Sequence, residues 1–154
     1  MNIEAVNILL ADDDKDDCLL FKEALQELSI SSNFTEVNDG QKLIQLLTQN
    51  TGELPDILFL DLNMPRKNGF ACLTEIKGNK NLRHLPVVIY STSIDEHVAD
   101  LLYQNGAHFY VRKPADFSQM KMLIQVVLAH TATKNSARPS REKFILGNII
   151  SIPF

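Results

Sequence analysis

The sequence predicts an α/β fold: a flavodoxin-like, doubly wound parallel sheet of five strands in the order 2-1-3-4-5, with five helices. Two observations carry that expectation. Short aliphatic runs alternate with amphipathic stretches five times along the chain, and strands alternating with helices at this spacing build parallel sheets covered on both faces. Two of the runs, Ile57-Leu58-Phe59-Leu60 and Val87-Val88-Ile89-Tyr90, are apolar throughout, as befits central strands packed on both sides.

Each element has its own signal. Ile8-Leu9-Leu10-Ala11 is the first strand, closed by acids. Leu19, Leu20, Ala24, Leu25 and Leu28 then recur at helical spacing and predict an amphipathic helix. A brief second strand over 34–37 ends at the turn signal Asn38-Asp39-Gly40. Leu43, Ile44, Leu46 and Leu47 form the next helical face, with Gly52 near its end. The third strand follows Pro55 and leads into a helix over residues 69–77, and Pro86 opens the fourth strand. Val98, Leu101 and Leu102 lie on a fourth helix stopped by Asn105-Gly106, a pair suited to the left-handed residue that ends many helices. Residues 108–111 are the last strand, and a fifth helix spans 117–130.

These elements make one domain over residues 5–130, followed by a polar linker over 131–143 that contains a Pro139-Ser140 break. Residues 144–154 are a strongly apolar tail with Phe144, Ile145, Leu146, Ile149, Ile150, Ile152 and Phe154. Such a tail does not rest comfortably in water. It either folds back on its own domain or serves as an interaction arm, an exchanged segment or added strand on a second copy. A homodimer is therefore one expectation.

Bulk properties exclude several classes. The net charge of −4 offers no basic face for a nucleic-acid backbone. Met1-Asn2-Ile3-Glu4 lacks the positive stretch of a signal peptide, and no apolar run approaches the length of a membrane span. The two cysteines, Cys18 and Cys72, form no close pair and suit buried thiols in a reducing compartment. A cytoplasmic protein is expected. His84, His97, His108 and His130 show no metal-binding spacing.

Chemistry gathers at the strand ends. Asp12, Asp13 and Asp14 follow the first strand and Asp61 follows the third. In a sheet of this kind the ligand crevice lies beyond the carboxyl ends of the strands. Carboxylates crowded there repel one another and call for a positive partner. Their oxygens suit a hard divalent cation, which for phosphate chemistry is Mg²⁺. Asp14, Asp16 and Asp17 also stand where helix caps and first-turn acids belong. Asp16 and Asp17 are assigned to capping, and Asp12 and Asp13 to the metal. Lys113, before Pro114, follows the fifth strand, and Ser91 follows the fourth. Singly they are an ordinary surface cation and a turn serine. At the same sheet edge as the acids, they supply a point charge and a hydroxyl for phosphoryl oxygens.

Four segments resemble the signature blocks of response-regulator receiver domains: Leu9-Leu10-Ala11-Asp12-Asp13-Asp14, Leu60-Asp61-Leu62-Asn63-Met64-Pro65 with Gly69, Tyr90-Ser91-Thr92-Ser93, and Tyr110-Val111-Arg112-Lys113-Pro114. They occur in matching order and spacing over roughly residues 5–130. Residues 79–86, with Leu82-Arg83, and Asp116-Phe117 further resemble single-domain receivers paired with bacterial phytochrome-type histidine kinases. A receiver protein is itself a standard example of the 2-1-3-4-5 order, so that order is not independent of the resemblance.

The resemblance implies a single-domain response regulator of a two-component phosphorelay. Asp61 would accept a phosphoryl group from a sensor histidine kinase or a histidine phosphotransfer protein. Asp12, Asp13 and Asp61 would hold Mg²⁺, with the backbone carbonyl of Asn63. Lys113 would pair with Asp61 or its phosphate, and Ser91 would close on the phosphoryl group. Tyr110 would be the aromatic switch that turns inward with Ser91. Thr92 would influence phosphate access, and Pro114 would support the lysine turn. Such a protein is a phosphoacceptor that dephosphorylates itself, not a turnover enzyme. Ser91 stands where threonine is commoner in the family, Ala115 where a larger apolar residue is frequent, and Asp12 is the shorter of the two acids used at its position. None of these removes a required group.

Three rivals are weaker. A haloacid-dehalogenase-type enzyme wants a second acid two positions after its nucleophile, where this chain has Asn63. A flavin carrier would meet repulsive aspartates where its phosphate loop belongs. The third is a receiver fold that serves as a phosphorylation-independent protein-binding module.

Overall fold

The structure, a computed structural model, describes residues 5–49, 54–131 and 137–146. The strands are β1 (Val6–Ala11), β2 (Ser32–Val37), β3 (Ile57–Asp61), β4 (Val87–Ser91), β5 (Phe109–Arg112) and β6 (Ile145–Leu146). Between them run α1 (Lys15–Glu27), α2 (Gly40–Gln49), α3 (Gly69–Gly78), α4 (Glu96–Gln104) and α5 (Phe117–Thr131). The sheet order is β2-β1-β3-β4-β5-β6, with every pairing parallel. The doubly wound order is as expected, and a sixth strand extends it.

Alternation along the strands builds two cores. Ile8, Leu10, Phe59, Tyr90 and Val111 face one way and meet Phe21 and Ala24 of α1 and Leu123 and Val127 of α5. Leu9, Leu58, Leu60, Ile89 and Tyr110 face the other way, against α2, α3 and α4. Every residue of β3 and β4 is buried, whereas β2, at the sheet edge, is nowhere fully buried.

Two leucines assigned to inward helical faces lie outside. Leu19 is 54% exposed and Leu101 is 53% exposed. In α1 the stripe that meets the sheet is Cys18, Phe21, Ala24 and Leu25; the aromatic ring fills more space than either leucine and sets the helix rotation. In α4 the inward residues are Ala99 and Leu102. Asn105 caps α4, and Gly106 follows with φ +97°, the left-handed conformation expected of it.

The expected linker carries more order than its composition suggests. Thr131 belongs to α5, and Arg141–Lys143 form a 3₁₀ turn. The Arg138 guanidinium lies 4.1 Å from the centroid of the Tyr103 ring and donates to the Tyr103 carbonyl at 2.9 Å. The Tyr103 hydroxyl in turn donates to the Pro139 carbonyl at 3.0 Å. Arg141 pairs with Glu96 and Asp100 at 2.9 Å each. Phe144 is fully buried, edge-on to Tyr103, and its carbonyl accepts the Tyr110 N–H at 3.1 Å. Ile145 and Leu146 then continue beside Tyr110 and Val111. The first three residues of the apolar tail therefore lie on their own domain; residues 147–154, like Gly52, fall outside the described residues.

Because Phe144 closes the core under α4 and β5, truncating it leaves a cavity. Phe144→Ala is expected to cost about 3 kcal/mol, read as a lower urea midpoint with an unchanged slope.

Candidate functional site

The parallel registers bring the strand ends level. Asp12 directly follows β1, Asp61 ends β3, Ser91 ends β4, and Lys113 stands one residue past β5. Asp61 pairs in register with Tyr90, and Ser91 with Arg112. The Lys113 N–H donates to the Ser91 carbonyl at 2.7 Å, and the Asp12 N–H to the Val37 carbonyl at 3.0 Å. The sheet itself thus sets the spacing of the acids, the hydroxyl and the ammonium.

Carboxylate oxygens of Asp12, Asp13 and Asp61 lie within 4.8 Å of one another. Asp12 and Asp61 are buried, at 1% and 4% exposure, while Asp13 opens to solvent. Local backbone groups hold the two buried acids: the Asp14 N–H donates to Asp12 Oδ1 at 3.0 Å, and the Asn63 N–H to Asp61 Oδ1 at 3.2 Å. Asp14 is the N-cap of α1 and accepts from the N–H groups of Asp16 and Asp17.

The ammonium of Lys113, on a side chain only 8% exposed, faces this group. Nζ lies 2.9 Å from Asp12 Oδ2, 2.9 Å from Asp17 Oδ2 and 3.5 Å from Asp61 Oδ2. It also sits 5.1 Å from the centroid of the Tyr90 ring. Burial works against its charge, but hydrogen bonds to Asp12 and Asp17 and the charges of Asp12 and Asp61 prevail, and its pKa stands above the ordinary lysine value. Asp61 moves the other way. Burial pushes its carboxyl up to about 7, and the Asp12 charge adds to the shift against the pull of Lys113 and the Asn63 N–H. Three carboxylates share one ammonium, with that of Asp13 beside them, and that excess of negative charge, with oxygen donors converging from two strand ends, fits a hard divalent cation.

Two residues here escaped the sequence reading. Asp17 does lie in the first turn of α1, but its carboxylate also reaches Lys113. Nothing local separates it from Asp16; only the tertiary neighbour does. Gly69 was quoted for its place in a signature block, and the structure supplies the reason. Its N–H donates to the Leu62 carbonyl at 2.9 Å, and a Cβ there would stand 2.3 Å from the Asp61 carbonyl oxygen. Only a glycine lets α3 start so close beneath the aspartate.

Tyr110 is buried and turned inward. Its hydroxyl donates to the Ser93 carbonyl at 3.2 Å, accepts the Asp95 N–H at 3.3 Å, and its ring lies 6.4 Å from that of Phe144. Ser91 is buried beside it in the sheet, while Thr92 and Ser93 are exposed and Pro114 is half-buried. Cys18 and Cys72 are buried free thiols. His97 and His130 are exposed, as their helix-end positions suggest. Among the described residues no helix is long and apolar enough to cross a membrane.

Comparison with known proteins agrees with this geometry. Residues 8–125 match the response regulator receiver domain family. Over 123 residues the chain is 32% identical to the response regulator Rcp1 of Synechocystis, a span covering 77% of this chain and 83% of that protein. It is 28% identical over 123 residues to a probable methanogenesis regulatory protein, FilR2, of Methanothrix harundinacea, covering 78% of this chain and 79% of the other. Among solved structures, the phosphorylated cyanobacterial phytochrome response regulator RcpA superposes with a TM-score of 0.78 at 31% identity, over 89% of this chain and all of that one. The Mn²⁺-bound form of Rcp1 gives a TM-score of 0.74 at 28% identity, over 88% of this chain and 99% of the other.

The raised carboxyl of Asp61 has a measurable consequence in the metal-free protein. Between its ordinary value of 3.8 and about 7, the folded state binds a proton that the unfolded state releases. Stability therefore falls as pH rises through that window. Asp61→Asn is expected to raise stability by on the order of 1–3 kcal/mol at pH 8 and by little at pH 4. Urea unfolding in the presence of a chelator checks both values.

Proposed function

The chain belongs to the response regulator receiver domain family, and on that premise we propose that Asp61 is its phosphoacceptor in a Mg²⁺-dependent transfer from a sensor histidine kinase. The observation that carries this reading is the convergence at one sheet edge of three carboxylates and one ammonium, with Asp61 common to both groups.

Asp12, Asp13 and Asp61 would hold the cation, with the backbone carbonyl of Asn63. A relative solved in a Mn²⁺-bound form supports a divalent cation here, and the oxygen group of Asp12, Asp13 and Asp61 supports these residues as its holders. When bound, Mg²⁺ supplies positive charge against the phosphoryl oxygens and the attacking carboxylate. The protein's own part is alignment and charge. An Asp61 carboxylate oxygen attacks phosphorus; the P–O bond forms as the P–N bond to the donor imidazole breaks, and the imidazole keeps the electron pair. Lys113 offsets charge on one side of Asp61, and the Ser91 hydroxyl donates to a phosphoryl oxygen on another. Thr92 borders the approach, and Pro114 fixes the turn behind the lysine.

Phosphorylation adds up to about two negative charges and three acceptors at one point. Ser91 is drawn toward them, and Tyr110, in register with Ile89 on the neighbouring strand, is the switch, its inward position in this structure being the one that phosphorylation would favour. Since the Tyr110 N–H is bonded to Phe144, the altered face is the one formed by α4, β5 and the segment 137–146. The kinship with phytochrome response regulators supports a phytochrome-type kinase, or a histidine phosphotransfer protein, as partner. We place the protein in the cytoplasm, as a self-dephosphorylating phosphoacceptor with a receiver domain over 5–130 and an arm beyond it. Removing residues 140–154 and measuring solution mass tests the arm's part in a homodimer; unchanged mass at matched concentration excludes it.

Incubation with acetyl phosphate and Mg²⁺ should add one phosphoryl mass to the intact chain, and Asp61→Asn should abolish the gain. No gain under conditions that preserve acyl phosphates would favour a binding module that works without phosphorylation. Lys113→Ala should keep Mg²⁺ binding and lose the phosphorylation-dependent change in association; a variant that still makes that change refutes the role given to Lys113.

A further inference from the structure

Asp17 stands apart from the other acids at the sheet edge. It does not belong to the Asp12, Asp13 and Asp61 oxygen group. Its place in the first turn of α1 explains a general preference for an acid there, yet Asp16, in the same turn, satisfies that preference from an exposed position. What distinguishes Asp17 is the contact of its Oδ2 with Lys113 Nζ at 2.9 Å, ninety-six positions along the chain.

An ammonium has three N–H donors. At Lys113 the two short contacts go to Asp12 and Asp17, and Asp61 is reached only at 3.5 Å. The ammonium therefore sits nearer to Asp12 and Asp17 than to the phosphoacceptor, which it still reaches at 3.5 Å. Its side chain is only 8% exposed, so water cannot readily replace a partner that is lost. Asp12 has a second task at the cation site; Asp17 has none there.

We propose that Asp17 is a positioning residue whose carboxylate holds Lys113 back from Asp61 in the unphosphorylated protein and yields the ammonium when a phosphoryl group arrives. The inference rests on the reading of Asp61 as phosphoacceptor. A single carboxylate charge competes with a group bringing up to about two charges and three acceptors, so the lysine moves toward Asp61. The pull of Asp17 opposes that movement and sets how strongly the phosphorylated form is favoured. Asp17→Asn keeps the shape and an acceptor oxygen but removes the charge.

Beryllium fluoride binds an aspartate carboxylate as a tetrahedral stand-in for a phosphoryl group, and reads this balance at equilibrium. With saturating Mg²⁺, Asp17→Asn is expected to bind it about three- to tenfold more tightly than the unaltered chain. Asp17→Glu, which keeps the charge, should return the affinity toward the original. In a Lys113→Gln background the same Asp17→Asn change should leave the affinity unaltered, because its effect passes through the lysine. A second readout needs neither metal nor a second substitution: by NMR, the Lys113 ammonium protons of the metal-free Asp17→Asn protein should exchange with water faster. Unchanged or weaker binding, an equal gain with and without Lys113, or unaltered ammonium exchange would each overturn the proposal. An unaltered chain that neither binds beryllium fluoride nor takes a phosphoryl group on Asp61 would sink the phosphoacceptor reading itself; one that does both while the substitutions have no effect sinks only the role of Asp17.

Discussion

The charge balance around Lys113 is the constraint on which the site depends. One buried ammonium faces Asp12, Asp17 and Asp61, with Asp13 at the mouth. Burying Asp12 and Asp61 side by side is costly unless each finds a partner, and a single lysine shared among three carboxylates cannot neutralise them all. The imbalance shows in Asp61, whose carboxyl is pushed up to about 7 chiefly by burial. Such a site is held under charge, and bound positive charge relieves it. The same feature makes Asp61 responsive: any change in charge there is felt at once by a lysine already shared among its neighbours.

That balance requires the sheet to deliver residues from β1, β3, β4 and β5 to one level, and much of this was legible in the sequence. Apolar runs over 57–60 and 87–90 announced buried central strands, and the polar residues just after them could only lie at the crevice. Asp12, Asp61, Ser91 and Lys113 were readable for that reason. Asp17 was not, since a first-turn acid carries the same local signal whether or not a distant lysine meets it. Nor was the outward placement of Leu19: leucine fits either face of α1, and the packing of Phe21 against Phe59 and Tyr90 decides the rotation. The close approach that makes Gly69 necessary depends on how the loop after β3 brings the start of α3 back against the Asp61 carbonyl, which hydrophobic periodicity does not register.

The segment 137–146 joins the site to the surface. Composition presented it as a linker and the start of a tail, because Pro139, Ser140 and Arg141 carry no strand or helix signal. Its order comes from partners on α4 and β5: Glu96 and Asp100 for Arg141, Tyr103 for Arg138 and Phe144, and the Tyr110 N–H for the Phe144 carbonyl. Tyr110 is thereby bonded on one side to the loop after Ser91 and on the other to this segment. A change at the strand ends has a continuous set of contacts to an outer edge of the sheet.

The central claim is that one carboxylate among several crowded acids takes the phosphoryl group, and borohydride trapping tests it at the level of the residue. After phosphorylation with acetyl phosphate and Mg²⁺, reduction with borohydride converts an acyl-phosphorylated aspartate to homoserine, which tandem mass spectrometry locates. Homoserine is expected at position 61 and at no other. Its appearance at position 12, 13 or 17, or a phosphorylated chain without reduced aspartate, would rule out Asp61 as the acceptor.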